Sequence, residues 1–218
     1  MVKIIHPKLF IEFLNSGYKR HYPLLYLGNN LIKCSICGKK FPIRNNILEL
    51  VDDKLLDNFT KKELKGQTHS LTKESIKKHA NKDCRSSYNN FTEKKKFKIL
   101  SEYLKKIDYT KIFVLGCGTG YDIKCLSNYL DLDKVYCSDL SYTALYISMH
   151  TLKNINIKLG CFTSDLNNCP IFSKDYPIII YEALHHTSNM HATIEKFLAF
   201  GYKKIFFVEP TSNILIRL

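Results

Sequence analysis

The feature that most constrains the fold of this chain is a glycine-rich turn directly after an apolar segment. Residues 111–115 read Lys-Ile-Phe-Val-Leu, and residues 116–120 read Gly-Cys-Gly-Thr-Gly, after which a helical pattern begins. Glycines let a strand turn tightly into a helix and let the backbone approach a ligand. A dinucleotide site needs a further glycine in G-x-G-x-x-G, but the sixth residue here is Tyr121, and the spacing therefore disfavours NAD.

Apolar strands and helical patterns alternate from this turn onward. We predict strands over Lys111–Leu115, Lys134–Ser138, Asn156–Gly160, Tyr176–Tyr181 and Lys204–Val208. Helices are predicted near Tyr121–Leu130, Tyr142–Leu152 and Met190–Phe200, and a further helix precedes the first strand, with Phe97, Leu100, Leu104 and Ile107 on one face. Strand-helix alternation with strands that are apolar on both faces predicts an α/β fold with a doubly wound, mostly parallel sheet.

The composition divides the chain into three zones. Residues 1–55 are predicted to form a small N-terminal unit, with a helix near Pro7–Gly17 and a short extended unit around Cys34 and Cys37. Residues 56–90 are polar and rich in lysine, which predicts a basic linker or a cover with short helices over Thr60–Leu64 and Lys73–His79. Residues 91–218 form the regular α/β core.

The net charge of +13 is concentrated in the N-terminal half. Residues 1–108 carry 23 Lys/Arg and 11 Asp/Glu, a balance of +12, whereas residues 109–218 carry 10 and 9, a balance of +1. One interpretation is a surface that attracts RNA or another polyanion. The other is compositional bias, because 29 of the 33 basic residues are lysine, and generic charge supplies only non-specific affinity.

Several motifs occur in the order found in one enzyme family. Gly-Cys-Gly-Thr-Gly at 116–120, Asp139 after the second strand, Asp165 after the third, Leu-His-His at 184–186 and Val-Glu-Pro at 208–210 together resemble the class I S-adenosylmethionine-dependent methyltransferases. The resemblance spans about residues 91–213. It implies a Rossmann-like methyltransferase core, S-adenosylmethionine as cofactor and an enzyme that transfers a methyl group.

The resemblance also implies roles for particular residues. Asp139, with Leu140 beside it, would accept hydrogen bonds from the cofactor ribose, and Asp165 with Leu166 would meet the adenine. The cofactor-binding set that it implies is Gly116, Cys117, Gly118, Gly120, Asp139, Leu140, Asp165, Leu166 and Glu182. The catalytic candidates lie on the segment that lines the methyl-transfer region in the family: His185 and His186 as bases, because imidazole titrates near neutral pH, and Glu182 as an orienting group.

Two departures from the family pattern affect these expectations. The family carries an acidic residue two places before the first glycine, where this chain has Val114. The consequence is weaker cofactor binding, a substitute such as Asp122, or a domain that binds without catalysing. The family sheet also continues beyond the fifth strand with a helix and a hairpin. Because this sequence ends at Leu218, soon after the fifth strand, we expect the core to lack its last strands.

The chain has eight cysteines, of which Cys34 and Cys37 have the spacing of metal ligands. They resemble half of the zinc-ribbon-like segment that precedes some methyltransferases. Structural zinc takes four ligands, and His79 with Cys84 would complete the set, with His69 as another candidate. Two alternatives stay open: a zinc site made by Cys34, Cys37, His79 and Cys84, or a remnant that holds no metal.

The sequence favours a methyltransferase whose acceptor is a small molecule, lipid or glycan precursor methylated on oxygen or nitrogen. One alternative is an RNA or tRNA methyltransferase that uses the basic N-terminal half. Another is a non-catalytic domain that binds a cofactor or a partner. No apolar run approaches the roughly 18 residues of a membrane span, and no signal peptide is recognised, so we expect a cytoplasmic protein.

Overall fold

A computed structural model describes residues 1–6, 24–28, 30–52, 54–82, 84, 90–107, 109–169, 174–209 and 216–217. For residues 90–94 and 216–217 it gives only the course of the backbone. The helix expected near Pro7–Gly17 lies outside the described residues. Within them, no helix is long and apolar enough to cross a membrane.

The described elements follow one another in a regular order. The strands are β1 (Lys3–Ile4), β2 (Leu24–Gly28), β3 (Leu31–Cys34), β4 (Lys40–Arg44), β5 (Ile47–Glu49), β6 (Lys111–Leu115), β7 (Lys134–Asp139), β8 (Lys158–Thr163), β9 (Ile178–Tyr181), β10 (Ile205–Val208) and β11 (Ile216–Arg217). The helices are α1 (Asn58–Gly66), α2 (Lys73–Ala80), α3 (Asn90–Lys106), α4 (Tyr121–Leu126), α5 (Tyr142–Thr151) and α6 (Met190–Ala199), with a single 3₁₀ turn at Leu184–His186.

The strands form one sheet in the order β11-β10-β9-β6-β7-β8-β5-β4-β3-β2, with β1 also paired to β8. Strands β10, β9, β6, β7, β8 and β5 pair in parallel, whereas β11 and the ribbon β2–β5 pair with antiparallel neighbours. The chain runs outward from β6 to β8 and then returns to β9 on the other side of β6. The predicted doubly wound α/β fold is confirmed, and the order reverses at the carboxyl ends of β6 and β9, where such sheets bind ligands.

Side chains of alternate residues build a separate core on each face of the sheet. Phe113 and Ile180 face one side and pack with Phe197 of α6. Val114 and Ile179 face the other side, with α3 and α5. Burial of each large apolar side chain stabilises the fold by about 1.5–3 kcal/mol.

All five predicted core strands are present, but β9 begins at Ile178 rather than Tyr176, and β8 both begins and ends later than predicted. Asn156 and Ile157 belong to the turn after α5, since the N–H of Ile157 bonds to the carbonyl of Ile155. The strand continues to Thr163 because β5 pairs with its second half, with Ile47 opposite Cys161. The ribbon β2–β5 thereby extends the sheet. The limits of the three predicted zones, at residues 55 and 90, stay predictions.

Residues 57–82, here called the cover segment, form α1 and α2. Asp57 caps α1 by accepting a hydrogen bond from the N–H of Thr60 at 2.7 Å, and Thr72 caps α2. Helix α2 packs against α5. The ammonium of Lys124 on α4 donates to the carbonyl groups of Ala80 and Lys82, both at 2.9 Å, which attaches the end of the cover segment to the core.

Candidate active site

The glycine turn after β6 adopts a backbone that requires glycine. Gly116, Gly118 and Gly120 have φ angles of +68°, +50° and +77°. A Cβ atom on Gly116 would lie 2.3 Å from the Cβ of Ala183, and one on Gly120 would lie 2.9 Å from Oγ of Ser148. The turn therefore combines a left-handed backbone with close approach to two neighbouring elements.

Asp139, at the end of β7, is hydrogen-bonded to this turn. One carboxylate oxygen accepts from the N–H of Gly118 at 2.8 Å, and the other accepts from the N–H of Ser141 at 2.9 Å. The side chain is almost fully buried, and burial raises the pKa of Asp139, although the two N–H donors oppose that rise. Each carboxylate oxygen retains capacity to accept another hydrogen bond.

A cavity of about 210 Å³ opens above the turn and brings together residues from distant parts of the sequence. Its lining includes eight of the predicted site residues: Gly116, Gly118, Asp139, Leu140, Asp165, Leu166, Glu182 and His186. It also includes residues that the sequence did not assign to the cofactor-binding or catalytic sets: Thr60, Glu63, Gln67, His69, Ala144, Ser164 and Ala183. Gly120, Cys117 and His185 are not part of this lining. The side chain of Cys117 is buried in the core instead.

Asp165 and its neighbours form another wall of the cavity. The Asp165 carboxylate accepts from the N–H of Asn167 at 2.9 Å and from the side-chain amide of Asn168 at 2.8 Å. These bonds fix the carboxylate where β8 ends. Leu166 comes close to the glycine turn, since its Cδ1 would lie 3.8 Å from a Cβ on Gly116.

The segment after β9 carries two histidines, each paired with a glutamate. Nδ1 of His185 lies 2.7 Å from the carboxylate of Glu209, whose other oxygen accepts from the N–H of Leu184 at 2.9 Å. Nδ1 of His186 lies 2.6 Å from the carboxylate of Glu63 on α1. The two imidazole rings have centroids 4.0 Å apart. A carboxylate that accepts a hydrogen bond from Nδ1 favours the tautomer with its proton on Nδ1, which leaves Nε2 unprotonated and able to accept a proton.

Glu63 and Glu209 are the carboxylates that sequence reasoning did not assign to the site. Glu209 carried a signal, because it lies in the Val-Glu-Pro ending after the fifth strand. Glu63 had none, because 123 residues separate it from His186. The predicted substitute Asp122 lies in the first turn of α4 and is not part of the cavity lining.

The predicted zinc set is not formed. Cys84 is bonded to Cys125 in a disulfide, so its sulfur is not free to bind a metal, and its assignment as a ligand was wrong. His79 packs edge-on against His69, and burial lowers the pKa of His79. Cys34, the last residue of β3, and Cys37, in the turn that follows, remain thiols. Among the residues that the structure describes, no three His, Cys, Asp or Glu side chains are grouped to hold a metal ion.

No protein-family model and no curated protein sequence matches the chain. Among solved structures, it is similar to the magnesium protoporphyrin IX methyltransferase of Synechocystis PCC 6803 with bound SAM, with 15% identity and a TM-score of 0.49 over 70% of this chain and 76% of that one. It is also similar to the methyltransferase domain of a bacterial Hen1, with 21% identity and a TM-score of 0.42 over 53% of this chain. It spans 65% of that domain.

A third similar structure is an amino pentose methyltransferase of Micromonospora echinaspora, CalS10, with 13% identity and a TM-score of 0.41 over 64% of this chain and 56% of that one. Identities this low show a similarity of fold and nothing more. The assignment of the site therefore rests on the geometry of this chain.

Proposed function

We propose that this chain is an S-adenosylmethionine-dependent methyltransferase. One observation carries the proposal: a cavity bounded by a left-handed glycyl turn whose Gly118 N–H bonds to the buried carboxylate of Asp139. Asp139 would accept hydrogen bonds from the two ribose hydroxyls, and Asp165 with Leu166 would meet the adenine. The acceptor capacity of both carboxylates fits an adenosyl group.

The chain's own residues supply orientation and a route for a proton. When bound, S-adenosylmethionine would supply a methyl group on a positively charged sulfur. Catalysis of such a transfer comes mainly from alignment and exclusion of water. His186 would accept a proton at Nε2 from the acceptor, while Glu63 holds Nδ1. Glu209 would orient His185 and the backbone at Leu184.

The acceptor in this proposal is a small molecule, lipid or glycan precursor methylated on oxygen or nitrogen. The support is that α1 of the cover segment contributes Thr60 and Glu63 to the wall of a cavity of about 210 Å³. RNA is the second candidate, because residues 1–108 carry a balance of +12, from 23 basic and 11 acidic residues.

Calorimetry with S-adenosylhomocysteine tests the proposed cofactor class. We expect a measurable heat and a single site. A folded sample that gives no heat would contradict the proposal and favour a domain with another ligand.

Filter binding of a mixed-sequence RNA at increasing salt then separates the two proposed classes of acceptor. Retention of RNA at moderate salt would favour RNA as the acceptor, since non-specific contacts weaken steeply with salt.

The affinity for S-adenosylhomocysteine is expected to fall on acidification at a pH above that at which an exposed aspartate titrates. Burial raises the pKa of Asp139, so its carboxylate takes up a proton earlier as the pH falls. The protonated form has less capacity to accept from the ribose hydroxyls. Calorimetry from neutral pH downward measures this effect. The variant Asp139→Asn, which does not titrate, should lack the acidic limb; an identical limb in the variant would assign it to another group.

The substitution Glu63→Gln is expected to speed release of S-adenosylhomocysteine by about five-fold, because a charge-assisted hydrogen bond between α1 and His186 is weakened by about 1 kcal/mol. Stopped-flow displacement measures the rate. Glu74→Gln is the matched control, since Glu74 is exposed on α2 of the same cover segment and is not part of the cavity lining. Equal release rates in both variants and the parent chain would show that the Glu63–His186 bond does not slow release of the ligand.

A further inference from the structure

Glu182, which has no part in the adenosyl assignments, lines the cavity and forms an ion pair with Lys96. Nζ of Lys96, on α3, is 3.1 Å from a carboxylate oxygen of Glu182, which follows β9. The Lys96 side chain is only 16% exposed and that of Glu182 is 38% exposed. A partly desolvated pair of this kind contributes little net stability, because removal of both charges from water offsets their attraction. Because Glu182 lines the cavity, a ligand there can reach this pair.

Packing of α3 against β9 holds Lys96 in this position. The ring of Phe97 stacks on the ring of Tyr181, with centroids 4.9 Å apart and planes at 9°. Nζ of Lys96 lies 5.9 Å from the centre of the same Tyr181 ring. The largely buried Lys96 side chain thus places its ammonium beside the carboxyl end of β9.

Glu182 is fixed by its backbone. Its φ angle is +47°, which is uncommon for a residue other than glycine, and its N–H bonds to the carbonyl of Val208 at 2.6 Å. Strained residues of this kind cluster at binding and catalytic sites. Glu182 lines the cavity beside Ala183, which in turn approaches Gly116 closely.

The strand that leads into the glycine turn provides no charge at this end of the cavity. Val114 is 3% exposed and packs in the core on the α3 side of the sheet. The other carboxylates that line the cavity are Asp139 at the end of β7, Asp165 after β8, and Glu63 on the cover segment, which bonds to His186. Among the described carboxylates of the lining, Glu182 is therefore the one that follows β9, and Lys96 is its partner.

We infer that Lys96 and Glu182 bind the amino-acid end of the cofactor, which carries one carboxylate and one ammonium group. The Lys96 ammonium would pair with the carboxylate, and the Glu182 carboxylate would accept from the ammonium. The two protein charges already neutralise each other, so a zwitterion can insert without leaving either charge unpaired. This inference rests on the proposed function and names the residues that take the place of an acid at Val114.

Calorimetry with two ligands tests the inference. S-adenosylhomocysteine has the amino-acid end, whereas 5′-methylthioadenosine has the same adenosyl group without its carboxylate and ammonium. We expect Lys96→Met to weaken binding of S-adenosylhomocysteine by about ten-fold or more and to leave 5′-methylthioadenosine unchanged. Lys98→Met is the matched control, because Lys98 is exposed on the same helix. Glu182→Gln should show the same ligand selectivity and serves as the second variant if Lys96→Met does not fold.

Each outcome has a separate meaning. If the folded parent chain binds neither ligand, the proposed function itself is wrong. If the parent binds both ligands, and the variants lose affinity equally for both or for neither, the assignment of Lys96 and Glu182 is wrong while the proposed function stands.

Discussion

The substitution Gly116→Ala is expected to abolish measurable binding of S-adenosylhomocysteine and to lower the free energy of unfolding by about 2–5 kcal/mol. The added methyl group would lie 2.3 Å from the Cβ of Ala183, which is well inside van der Waals contact. The φ angle of +68° adds the steric penalty of an L side chain in the left-handed region. The chain must then displace the segment after β9, and with it Glu182.

Denaturant unfolding and calorimetry on the same sample measure the two effects. Gly28→Ala is the matched control, because Gly28 has a φ angle of +80° and, among the described residues beyond its chain neighbours, no atom lies within 4 Å of the added Cβ. Its free energy of unfolding should fall only by the backbone contribution, about 1–2 kcal/mol, and ligand binding should be retained. Wild-type affinity in Gly116→Ala would show that the turn is not the binding element.

The substitution Asp139→Ala is expected to weaken binding of S-adenosylhomocysteine by an order of magnitude or more. It removes both acceptor oxygens proposed for the ribose, and a lost hydrogen bond to a charged group changes affinity by about 1.5–3 kcal/mol. It also leaves the N–H groups of Gly118 and Ser141 without the acceptor that now fixes the turn.

Titration of both adenosyl ligands separates this effect from that of Lys96. Because 5′-methylthioadenosine keeps the ribose, Asp139→Ala should weaken both ligands alike, whereas Lys96→Met should weaken only one. Asp133→Ala is the control, since Asp133 lies just before β7 and pairs with Lys158 on the surface. Unchanged affinity in Asp139→Ala would refute the ribose assignment.

The parts of the site that could be predicted from sequence are those encoded by neighbouring residues. Strand β6 was predicted with its observed limits, because an apolar run ends at a glycine turn. Asp139 ends one buried strand and Asp165 follows another, and parallel strands bring their carboxyl ends to one edge of the sheet. That geometry places both carboxylates at the cavity without any long-range information.

The parts that could not be predicted depend on tertiary contacts. The two short helices of the cover segment were expected, but nothing in their weak periodicity places Glu63 beside His186. The spacing of Cys34 and Cys37 suggested that Cys84 was a metal ligand, whereas its partner is Cys125, 41 residues away on α4. Residue types identified possible chemistry there, but their pairing depends on how the chain folds back over the core.

Both ends of the cover segment are attached to the α/β core. Before it, the N–H groups of Leu50 and Val51 donate to the hydroxyl of Thr163, at 2.9 and 3.2 Å. After it, Cys84 is covalently joined to Cys125. A segment with two fixed ends can rotate about the line between them but cannot detach, and less conformational entropy is lost when it closes. Ligand entry and exit would then require a small tilt of one wall, with most of the pocket already assembled.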